Sequence, residues 1–75
     1  MNNTNTNTMI ANPRIYYYYQ FNAGFDDVPY SITIWSVYGW QIPSFKEERG
    51  DITRRISKAT MVCYLNNPNA KIVGW

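Results

Sequence analysis

Histidine is absent from the 75 residues, and Cys63 is the only cysteine. Without histidine the commonest general base and metal ligand is missing. Cys63 also lacks the partner that a thiol-protease arrangement needs. A lone cysteine excludes an internal disulfide, which fits a reducing compartment. Leucine is as scarce: Leu65 stands alone, which argues against an all-helical bundle or a coiled coil. Charge is thin, with 7 basic and 5 acidic side chains and a formal net charge of +2. That balance excludes a histone-like polycation and counts against a mimic of DNA's negative surface. No apolar run approaches the roughly 20 residues of a membrane span. The opening Met1 to Thr8 is polar and uncharged, unlike a signal peptide. A cytoplasmic location with no membrane partner is expected. No glycine-rich phosphate loop, zinc spacing or dinucleotide fingerprint occurs. The pairs Asp26-Asp27 and Glu47-Glu48 read as a solvated turn and a helix start. No catalytic residue, metal or cofactor is expected, and the chain reads as a non-enzyme.

What is present is aromatic. Tyr, Trp and Phe make up 17% of the chain, and Arg14-Ile15-Tyr16-Tyr17-Tyr18-Tyr19-Gln20-Phe21 concentrates them. A strand sends successive side chains to opposite faces. Ile15, Tyr17, Tyr19 and Phe21 then share one face, and Tyr16, Tyr18 and Gln20 the other. One face can become a core, whereas the other needs a second covering layer or a partner.

Residues 1–12 form an Asn/Thr-rich arm that is expected to be disordered. Residues 13–75 are expected to form a single α+β domain. Asn22 to Pro29 is rich in turn residues, and Tyr30 to Tyr38 alternates as a second strand with Trp35 on the wetter face. Gly39 reads as a bulge or bend, and Pro43 as the end of that strand. Ser44 and Glu47 have capping-box spacing, and Gly50-Asp51 offers a second start. A short first turn and then a main helix from Asp51 to Leu65 are predicted. Its core stripe would be Ile52, Ile56, Ala59 and Cys63, lying over Tyr17, Tyr19, Ile32 and Ile34. Asn66-Asn67-Pro68-Asn69 stops the helix, and Ala70 to Trp75 makes a third strand. The resulting expectation is a β-β-α-β domain. Its three-stranded antiparallel sheet has order 2-1-3, with one helix on one face.

Such a chain offers two surfaces. Tyr16, Tyr18 and Trp35 would share the sheet face away from the helix, where Tyr and Trp suit interface anchors. Arg54 and Lys58 would mark a basic helix face with Met61 and Leu65. These five residues, Tyr16, Tyr18, Trp35, Arg54 and Lys58, are the expected partner contacts. In size and composition the chain resembles the short accessory proteins with which phages and other mobile elements inhibit host defence or regulatory complexes. That likeness covers no motif, and the mild basic charge departs from the acidic mimics among them. A protein partner is therefore expected, together with a homodimer, since so short a chain has a thin core. The alternative is a single-stranded nucleic-acid binder that stacks bases on rings and pairs phosphates with Lys and Arg.

Overall fold

The computed structural model describes residues 13–75, so the expected arm lies outside the described residues. Six elements follow in order: β1 (Ile15–Asn22), β2 (Ser31–Tyr38), α1 (Ile42–Arg49), β3 (Arg54–Ile56), α2 (Lys58–Leu65) and β4 (Ala70–Gly74). Short 3-10 turns at Gly39–Gln41 and Gly50–Ile52 bracket α1. The strands form one mixed sheet in the order β3-β1-β2-β4. β1 pairs antiparallel with β2 and β3, while β4 runs parallel to β2.

The hairpin is built as the alternation requires. Tyr16 lies opposite Val37, Tyr18 opposite Trp35, and Tyr19 opposite Ile34. Its tip closes at Phe25 and Val28, whose backbones exchange hydrogen bonds of 2.9 and 2.7 Å. Gly24 is obligatory at that tip. A Cβ there would meet the Val28 carbonyl oxygen at 2.4 Å and the Tyr30 nitrogen at 2.7 Å.

The expected three-stranded sheet with one helix is corrected in three places. Ile42–Arg49 is a full helix, with Pro43 in its first turn, where a missing amide hydrogen costs nothing. The predicted helix from Asp51 to Leu65 is divided. Asp51 and Ile52 end a 3-10 turn, Arg54–Ile56 pairs with the free edge of β1, and only Lys58–Leu65 is α-helical. Ser57 caps that helix by accepting the Thr60 amide at 3.1 Å. The C-terminal strand is parallel to the second strand, as expected, but it bonds to β2 rather than to β1, whose edge β3 already occupies.

Each face of the sheet carries one helix. On one side Met61 and Tyr64 of α2 pack with Ile32, Ile34, Tyr17 and Tyr19. On the other, Phe45 of α1 packs with Tyr18, Trp35 and Val37, flanked by Tyr16, Ile42, Val73 and Trp75. The Phe45 ring is 4.8 Å from Tyr18, 5.8 Å from Trp35 and 5.4 Å from Trp75. The expected stripe dissolves with the longer helix. Ile52, Ala59 and Cys63 are exposed, and only Ile56 keeps a place in the core, from a strand.

Candidate functional site

The five residues expected to contact a partner fall in three places. Tyr18 and Trp35 do share a sheet face, but each is only 6% exposed, because α1 supplies the covering layer. Their rings present no surface to a partner in this structure. Arg49 closes the rim, its guanidinium 5.1 Å from the centre of the Trp35 ring. Tyr16, at the end of the same face, is half-buried beneath Arg55, 4.2 Å from its ring centre. Neighbours in a strand point to opposite faces, so Arg54 lies on the α2 side while Arg55 joins Tyr16. Lys58 is exposed at the first position of α2.

The structure brings Tyr16 and Lys58 together with Arg14, Arg55 and Ser57. They line a groove of about 440 Å³ where β3 ends short of the start of β1. Arg14 and Arg55 escaped the sequence reading. Their adjacency to the tyrosine run and to Arg54 was visible, but the edge pairing that unites them was not.

The largest exposed rings sit at the two ends of the sheet. Phe21 stacks on Tyr30 at 5.6 Å at one end of the sheet. Tyr38 stacks on Trp40 at 6.2 Å, nearly parallel, at the other. Phe21 and Trp40 are 56% and 57% exposed, and Phe25 at the hairpin tip is 67% exposed. Ile15 pairs across from Tyr38 and is exposed beside it. Val62 and Leu65 add exposed apolar area on α2 itself. The Tyr30 hydroxyl accepts a 2.8 Å hydrogen bond from the Asn67 side chain, which fixes the ring beside the end of α2. Sequence reading assigned Phe21 to a strand face but had no means of telling how far a short helix would reach over it.

Within the α2 face the hydrogen bond to Tyr19 holds the Tyr64 phenol above its ordinary value of 10.0, with desolvation adding in the same direction. Their ring centres are 4.9 Å apart. Among the described residues, no three His, Cys, Asp or Glu side chains are grouped to hold a metal ion. No helix among them is long and apolar enough to cross a membrane. No family model, curated protein or solved structure matches the chain.

Proposed function

We propose that this chain is a non-enzymatic protein-interaction module that acts by occupying a partner's surface, as an inhibitory accessory protein would. The observation that carries this reading is the pair of exposed ring stacks at the two ends of the sheet, one of them tied to the end of α2 through Asn67. Large exposed apolar groups grouped on one face mark interaction surfaces, whereas scattered ones need no explanation. Phe21 and Ile15 are six residues apart on β1, or about 20 Å at the strand rise. The surface is therefore broad enough to hold two anchors around the ridge of α2. Aromatic side chains dominate such anchors because they bury much area and lose few rotamers.

The test is capture of proteins from a nuclease-treated lysate of the native host by the immobilised full chain. The variants Phe21→Ala and Trp40→Ala, each shown to be folded, serve as comparison baits. A stoichiometric protein held by the wild type and weakened by about 2 kcal/mol or more in either variant is the expected result. Equal retention by both variants would remove the rings around α2 from the interface.

A further inference from the structure

The groove beside β3 adjoins the aromatic surface around α2 at Ile15 but has different chemistry. Its geometry follows from the ladder of β1. The Gly39 amide donates to the Arg14 carbonyl oxygen at 2.9 Å, which points the backbone groups of Arg14 toward β2. Antiparallel strands alternate their hydrogen-bonding direction residue by residue. The amide and carbonyl of Ile15 therefore point the other way, toward β3. But β3 begins its pairing only at Tyr17, opposite Ile56. The chain then turns away at Ser57 into α2, so the Ile15 backbone opens into the groove.

Three cationic residues line this opening. Arg14 precedes β1, Arg55 lies in β3 and Lys58 opens α2, and no carboxylate is among the described residues that line the groove. Arg14 and Arg55 carry planar forks of donors that suit phosphate oxygens. The Ile15 amide adds a neutral donor. The Arg55 guanidinium sits over Tyr16 in a 4.2 Å cation–π contact, and Arg55 is exposed. Guanidinium planes and tyrosine rings are the surfaces on which unpaired bases stack.

We propose that this groove binds the phosphodiester backbone of single-stranded nucleic acid, with Arg14, Arg55 and Lys58 on phosphates and the Arg55–Tyr16 stack against a base. A single strand can be laid into a concavity of about 440 Å³, whereas a duplex presents its phosphates on a wide convex cylinder. An acidic peptide would satisfy the cations but make no use of the stacked plane.

The experiment is fluorescence anisotropy of the full chain with a labelled mixed-sequence single-stranded oligonucleotide of about 12 nucleotides, titrated at several salt concentrations. Three neutralised phosphates give an expected slope of about −2 in log K against log salt. Arg14→Ala, Arg55→Ala and Lys58→Ala should each weaken binding about fivefold to tenfold and flatten the slope by about 0.7. Arg55→Lys keeps the charge and loses the plane, so affinity should fall with the slope preserved, which also covers the case that Arg55→Ala fails to fold. Lys46→Ala and Lys71→Ala lie outside the groove and should change little, as should Phe21→Ala on the aromatic surface. Three results would overturn the proposal: no binding at low salt, equal losses from Lys46→Ala and Lys71→Ala, or equal competition by an acidic peptide of the same charge. None of them bears on the rings around α2.

Discussion

At Phe45 three rings, Tyr18, Trp35 and Trp75, meet one side chain that is itself fully buried. No other residue of α1 is buried, so the helix is held to the sheet chiefly at this point. Phe45→Ala should cost about 3–5 kcal/mol, read as a lower denaturant midpoint. An unchanged midpoint would mean that α1 does not cover the sheet. Tyr64 supplies a residue-scale prediction about pH. Its folded value is raised chiefly by the hydrogen bond to Tyr19, so the neutral phenol is favoured in the folded state. That stabilisation is fully present below the unfolded value of 10.0 and is lost as pH rises through the folded value. Tyr64→Phe should therefore reduce the loss of stability above pH 10.0 and leave the neutral-pH slope unchanged. An alkaline melting profile identical to wild type would remove this coupling.

Among the elements, β3 and α2 divide a stretch that has the spacing of one helix. Ile52, Ile56, Ala59 and Cys63 recur at helical intervals, yet Ile52, Thr53 and Ile56 are β-branched and favour an extended chain. Ser57 is also a preferred N-cap. A three-residue edge strand shows no period, and its formation depends on a free edge of β1 that no local pattern reveals. The hairpin was legible because β1 is a run of β-favouring aromatic residues and β2 opens with Ile32 and Ile34 alternating against Ser31 and Thr33. Its register placed Tyr16, Tyr18 and Trp35 on one face correctly. Whether that face was open depended on α1, where Pro43 suits the end of a strand and the start of a helix equally well. The division has a direct test at Arg55. Tyr17 and Tyr19 bond to Ile56 and Arg54, so the Arg55 amide faces away from β1. Arg55→Pro should cost about 1 kcal/mol or less on this edge, against about 3 kcal/mol in a helix interior. A loss of the larger size in a urea titration would favour one continuous helix.

For the whole molecule, both sheet faces are occupied and yet large apolar groups remain outside. Phe21, Phe25, Trp40 and Ile52 are each more than half exposed in a small domain. This surplus is the reason to expect association with a partner, and with a second copy in a two-fold dimer. Sedimentation at micromolar concentration should show a species heavier than the 8.8 kDa monomer, and the monomer alone would contradict self-association. The double covering that buries Tyr18 and Trp35 is open to a more direct measurement. Radical footprinting of the free protein, resolved ring by ring, compares the two aromatic sets without any partner. Phe21, Phe25 and Trp40 should be modified quickly while Tyr18, Trp35 and Phe45 are protected; modification of Tyr18 and Trp35 as fast as Trp40 would show the sheet face open and return the binding surface to it.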